Sequence, residues 1–135
     1  LKAAENIDSG KVKIFDFIDR MDLAYKAADI VISRAGAGTI SELCLLEKAS
    51  ILVPSPNVAE DHQTKNAMAL VEKNAAVLIR DNETEQKLIP EALNLIQNEE
   101  KVNELSVNIG KEKKENSDEL IANEVVNLIT KNQNR

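Results

Sequence analysis

Two glycines, Gly36 and Gly38, sit between a short apolar run (Ile30, Val31, Ile32) and a helical pattern that opens at Thr39. A strand that passes through a glycine turn into a helix presents backbone N–H groups and the positive end of a helix dipole to an anion. Missing side chains let a diphosphate approach the backbone of residues 36–39, and Thr39 adds a hydroxyl donor. No Lys-Ser/Thr follows the second glycine, so this is not a Walker loop. Ser41 stands where a dinucleotide fingerprint has its third glycine. Glu42 lies one turn along, on the same side as Thr39. The same four residues also read as a capping box, with Thr39 capping the helix and Glu42 reaching back to it. On the residues alone, both readings stand.

Gln63 and Asn66 are spaced i, i+3 and share one face of a later helix. Amides both donate and accept, which is what sugar hydroxyls require. His62, the one histidine, falls in that helix's first turn, and its neighbours Glu60 and Asp61 form no metal-ligand spacing. Neither a metal nor another cofactor is expected. Phe17, Ile18 and Met21 are able to wall a nucleobase, although Phe17 reads equally well as a core residue at a strand exit. Arg34 suits a phosphate clamp, but its strand-end position is as consistent with solvent, and it is left out of the site.

The elements that must position these residues alternate. Strands are expected at residues 11–15, 30–33, 51–53 and 77–79. Helices are expected at 21–28 (Leu23 and Ala27 inward), 39–47 and 61–73, the last capped by Asp61 with Ala67, Leu70 and Val71 inward. Alternating strands and helices imply an α/β fold with a parallel sheet. Ligands of such sheets bind beyond the carboxyl ends of the strands, where all three candidate segments begin. Beyond Arg80 the pattern turns helical. One helix spans 83–98 with Leu88, Ile89, Ala92, Leu93 and Ile96 on one face, its first turn starting late because of Pro90. A second spans 99–109, and a third, 117–131, is capped by Ser117. Residues 1–6 read as a helix tail, 8–10 as a turn, and 132–135 as a frayed end. Residues 1–80 are thus the α/β region, and 81–135 the terminal helices of the same domain.

At 135 residues the chain is long enough for one core. Aromatics make up only 2%, so the core must be aliphatic and stacking on nucleic-acid bases is excluded. A net charge of −6 argues further against a nucleic-acid partner. Cys44 is alone, which excludes a disulfide framework, and it reads as a buried inert thiol. No apolar run approaches the ~20 residues of a membrane span, and no secretory signal opens the chain. A cytoplasmic location is expected. The first residue is Leu1 rather than Met, which suggests a piece of a longer protein.

Residues 29–42 as a whole resemble the donor-site motif of the MurG family, the bacterial N-acetylglucosaminyltransferases that form lipid II. Residues 54–67, with Asp61, His62, Gln63, Thr64, Lys65, Asn66 and Ala67, resemble that family's second motif at a matching distance. Residues 17–21 are similar to its nucleobase segment. The resemblance implies the second half of a GT-B glycosyltransferase, a partial Rossmann-like parallel sheet in the strand order 3-2-1-4-5-6, and makes residues 1–80 its UDP-sugar-binding region. Two strands would then separate the strand at 11–15 from the one at 30–33, unless the two pair directly or another copy or segment fills the gap.

It also implies the roles. UDP-N-acetylglucosamine would be the donor, with Ile18 (through its backbone) and Met21 on the uracil. Ala37, Gly38 and Thr39 would hold the diphosphate, Glu42 the ribose hydroxyls, and Gln63 and Asn66 the sugar. Family members carry a larger residue at position 38 as well, so only the backbone of Gly38 is implicated. No catalytic residue is expected here. The lipid-linked acceptor and the base belong to an amino-terminal domain, so this chain by itself should transfer no sugar. The parent enzyme would be peripheral on the inner face of the cell membrane. Two other functions fit the residues: a donor-binding subunit of a two-chain transferase, and a nucleotide-binding α/β module without activity.

Overall fold

The structure, a computed structural model, describes residues 10–57 and 61–113. The expected helices at 1–6 and 117–131, and most of the turn at 8–10, lie outside them. In chain order the elements are α1 (Met21–Ala27), β1 (Val31–Ser33), α2 (Ala37–Leu45), β2 (Ser50–Leu52), α3 (His62–Val71) and β3 (Val77–Leu78). A 3-10 turn (Asp81–Glu83), α4 (Thr84–Gln97) and α5 (Glu99–Gly110) follow.

The three strands form one parallel sheet in the order β1-β2-β3. Ile32 faces Ile51 across the first pair, and Leu52 faces Leu78 across the second. Hydrogen bonds continue past the strand ends, with Val53 N–H donating to the Ser33 carbonyl at 2.8 Å and Ile79 N–H to the Leu52 carbonyl at 3.0 Å. The central strand is buried along its length, as a strand covered on both faces must be.

Side chains alternate across β2, so each face builds its own core. Leu52 joins Tyr25, Leu43, Cys44, Ala67, Leu70 and Ile109 on one side. Ile51 and Val53 join Ile79, Leu95 and Leu105 on the other. The hydroxyl of Ser50, fully buried, is the one buried side-chain oxygen without a hydrogen-bond partner among the described residues. Cys44 is buried, as the apolar run around it implied.

Several expectations are corrected. Residues 11–15 form no strand, and Ile14 and Phe15 are 70% and 63% exposed. Alternation supplies an apolar face but not a neighbour, and a strand needs one for its backbone groups. These residues do not pair directly with β1. In α1, Tyr25 faces inward, whereas Leu23 and Ala27 are exposed. Tyr25 buries more surface than either of the expected pair and also carries a hydroxyl with a partner.

Helix α4 begins at Thr84 and carries Pro90 in its interior. Pro90 and Gln86 are both exposed there, so the carbonyl that proline leaves unbonded faces water. The apolar residues of α4 make two stripes. Leu88, Ala92 and Leu95 pack on the sheet, and Ile89, Leu93 and Ile96 stay exposed. Asp61 precedes α3 in the left-handed region (φ 53°), and its side chain makes no capping bond.

Candidate functional site

The glycine turn follows β1, and α2 starts at Ala37, two residues earlier than the pattern suggested. Its N-cap is Gly36 in an extended conformation, with no side chain to cap the first turn. The backbone N–H groups of Ala37, Gly38 and Thr39 therefore have no partner within the helix. A Cβ built at Gly38 would meet nothing within 4 Å, and neither Gly36 nor Gly38 has a positive φ. Their use here is open space at a helix start, not backbone freedom.

An early helix start also disposes of the capping box. Thr39 becomes the third helical residue, and Glu42 does not reach back. The Glu42 carboxylate instead accepts a hydrogen bond from the Tyr25 hydroxyl at 2.9 Å, through Oε2. Its Oε1 has no hydrogen-bond donor among the described residues. Met21 lies one turn before Tyr25 on the same side of α1, so α1 links the expected nucleobase segment to Glu42. Ile18 and Met21 are both exposed at the start of that segment.

Tyr25 is 8% exposed, and its phenol is pushed up to about 12, first by burial and then by the Glu42 carboxylate. The phenol is neutral in the fold at pH values where an unfolded chain would begin to ionise it. Its contribution to stability is thus complete below pH ~10, the ordinary value, and disappears as pH rises through about 12. Alkaline unfolding followed by circular dichroism should show this loss between those values, and Tyr25→Phe should remove it. A wild-type curve that is flat across the window would contradict it.

Gln63 and Asn66 meet the loop ahead of α2. Gln63 Oε1 accepts from the Ser55 N–H at 2.9 Å and the Ala35 N–H at 3.3 Å, and Asn66 Nδ2 donates to the Ala35 carbonyl at 3.3 Å. Both amides tie the loops after β1 and β2 to α3. The Gln63 amide nitrogen lies 4.0 Å from where a Gly36 Cβ would be.

Arg34 is exposed at the end of β1, its side chain 55% accessible, as a solvent-facing strand end would be. Its guanidinium pairs with Asp81 and reaches the carbonyls of Val53 and Pro54 at 3.4 Å. It joins the carboxyl ends of all three strands. Sequence reasoning missed this role because Asp81 lies 47 residues away. A cleft of about 440 Å³ opens beside it, lined by Pro54, Asp61, Thr64, Leu78, Arg80 and Asp81. None of the expected donor residues lines it. Two of them, Ala37 and Asn66, line a separate and smaller cleft of about 220 Å³ with Ile40, Ser41, Cys44 and Leu70. Among the described residues no group of three or more His, Cys, Asp or Glu is arranged to hold a metal.

The sequence pattern of the glycosyltransferase family 28 C-terminal domain matches residues 2–124. This chain belongs to that family. It is 58% identical over 116 residues to the UDP-N-acetylglucosamine–N-acetylmuramyl-(pentapeptide) pyrophosphoryl-undecaprenol N-acetylglucosamine transferase of Parabacteroides distasonis, covering 86% of the chain and 32% of the relative. It is also 58% identical over 128 residues to the enzyme of that name from Bacteroides fragilis, covering 95% of the chain and 33% of the relative. The crystal structure of Acinetobacter baumannii MurG superimposes with a TM-score of 0.71 at 30% identity, over 88% of this chain and 35% of that one. The chain spans about one third of the length of these relatives. A family 28 C-terminal domain is the second half of a GT-B glycosyltransferase, so the expected partial Rossmann-like sheet is borne out. No helix among its described residues is long and apolar enough to cross a membrane.

Proposed function

We propose that this chain is the donor-binding part of an inverting glycosyltransferase. The full enzyme would move N-acetylglucosamine from UDP-N-acetylglucosamine to a polyprenyl-linked muramyl-pentapeptide, turning lipid I into lipid II in peptidoglycan synthesis. The observation that carries this reading is the uncapped start of α2, with Glu42 one turn behind it, in a family whose members are named for that transfer.

The N–H groups of Ala37, Gly38 and Thr39, with the Thr39 hydroxyl, face a diphosphate in this reading. Helix dipole and donors together stabilise the charge that develops on the leaving nucleotide. Glu42 accepts from the ribose hydroxyls, and Ile18 and Met21 flank the uracil. Gln63 and Asn66 read the sugar from the loop they hold in position. The lipid-linked acceptor and the base that deprotonates it belong to the rest of the enzyme, which would work peripherally on the inner face of the membrane.

Gln63 gives the test. Gln63→Ala leaves the Ala35 and Ser55 N–H groups without their acceptor, at about 1–3 kcal/mol for each if buried. It should therefore weaken both bare uridine diphosphate and its N-acetylglucosamine conjugate. Gln63→Glu keeps both accepted bonds and removes the amide donor. Its repulsion falls more heavily on the bare nucleotide, whose terminal phosphate carries the extra charge, so repulsion does not produce a greater loss for the conjugate. Calorimetric titration should find a greater loss for the sugar conjugate than for the bare nucleotide. Equal losses in Gln63→Glu would contradict the sugar-reading role. A wild-type chain that binds the two ligands equally would point instead to a nucleotide-binding module.

A further inference from the structure

Tyr25 is the one tyrosine of the chain, in a core otherwise almost wholly aliphatic. It belongs to the buried cluster that includes Leu43, Cys44 and Leu70, and its hydroxyl donates to Glu42 Oε2 at 2.9 Å. We propose that Tyr25 is a positioning residue for nucleotide recognition, holding the Glu42 carboxylate in the orientation that receives the ribose hydroxyls. The proposal rests on the assignment of Glu42 to the ribose and adds the group that acts behind it.

Four observations carry it. A carboxylate offers about four lone-pair sites, and Tyr25 takes one, so Oε1 and the remaining site on Oε2 stay available for two ligand hydroxyls. Glu42 is only partly buried, and a free glutamate side chain loses substantial rotamer entropy when a ligand fixes it. An immobile donor behind the carboxylate removes part of that loss before the ligand arrives. Tyr25 is also neutral, so it orients Glu42 without cancelling its charge. Burial and the carboxylate both hold the phenol in its protonated, donating form. Finally, α1 brings Met21 and Tyr25 onto one side, so the helix that begins at the expected uracil contact also sets the ribose contact.

The test compares uridine diphosphate with its 2′,3′-dideoxy analogue, by calorimetry on wild-type chain, Tyr25→Phe, Glu42→Ala and the double variant. Tyr25→Phe should weaken uridine diphosphate about threefold to tenfold, the range of one net hydrogen bond. It should leave the dideoxy analogue unchanged, and it should add nothing in the Glu42→Ala background. Equal weakening of both ligands would mean that Tyr25 serves only the fold and would overturn the proposal. A loss with Glu42→Ala but none with Tyr25→Phe would overturn it while leaving the ribose assignment intact. No loss with either variant would remove the ribose assignment, and the proposal with it.

Fluorotyrosine incorporation gives a readout that needs no substitution. The single tyrosine yields one fluorine resonance, which should move on adding uridine diphosphate and stay in place with the dideoxy analogue. A resonance that responds identically to both would count against the proposal even if Tyr25→Phe failed to fold.

Discussion

Replacing Leu43 by alanine should destabilise the domain by about 2–5 kcal/mol, the cost of a core cavity left by a buried leucine. Leu43 is fully buried on α2, packed with Tyr25, Leu52, Leu70 and Ile109. Few of those neighbours can move into the space. Leu52 is held in the central strand by bonds to both neighbours, and Tyr25 is tied to Glu42. A loss of that size is a large share of the ~5–15 kcal/mol typical of a whole domain. Urea unfolding of the two proteins measures it, and a shift below 1 kcal/mol would show that the core on this side of the sheet is loosely packed.

Glu42→Ala should show two losses together. If the carboxylate receives the ribose, uridine-diphosphate binding weakens by about 1–3 kcal/mol, the range for a charged hydrogen bond. Stability should fall as well, through Tyr25 and not through a lost cap. The buried phenol would lose its acceptor, which costs about 1–3 kcal/mol when no water replaces it. Glu42→Gln separates the two effects, since the amide oxygen still accepts from Tyr25 while the charge is gone. That variant should melt close to wild type and bind the nucleotide less well. Titration with unchanged affinity in both variants, against a lowered melt in Glu42→Ala, would leave Glu42 a structural tie only.

The elements that the sequence announced are those whose signals are local. Ile51, Leu52 and Val53 form an unbroken apolar run ended by Pro54, and Ala67 and Leu70 fall on one side of a helix at the right spacing. That the three strands run parallel followed from the alternation of element types, and their order from the family resemblance. What stayed hidden depends on partners far along the chain. Thr39 and Glu42 have capping-box spacing, and only the fold shows that α2 starts earlier and that Tyr25 has the carboxylate. On α4 the stripe of Leu88, Ala92 and Leu95 and that of Ile89, Leu93 and Ile96 differ by one residue. The alternating residues 11–15 carry a strand's pattern, but pattern alone cannot supply the neighbour that makes a strand.

Gln63 and Asn66 stand out in the sequence for the hydroxyls an amide can bind, and the fold adds that they brace two loops. Side-chain type gave the chemistry available to an amide. Which partner it takes first is a matter of distance, and distances across 28 or 31 residues are not written in spacing.

Helix α5 supplies Leu105 to the cluster on one face of the sheet and Ile109 to the cluster on the other. Those two residues are one helical turn apart. Neither hydrophobic layer can close fully until the same short helix has docked, so completing one layer brings the other to the edge of completion. The two layers therefore lack separate thermodynamic lives. A half-assembled intermediate, with one face sealed and the other open, would have to give up part of its own seal. Cooperativity in this small sheet runs through one turn of α5 as well as through β2.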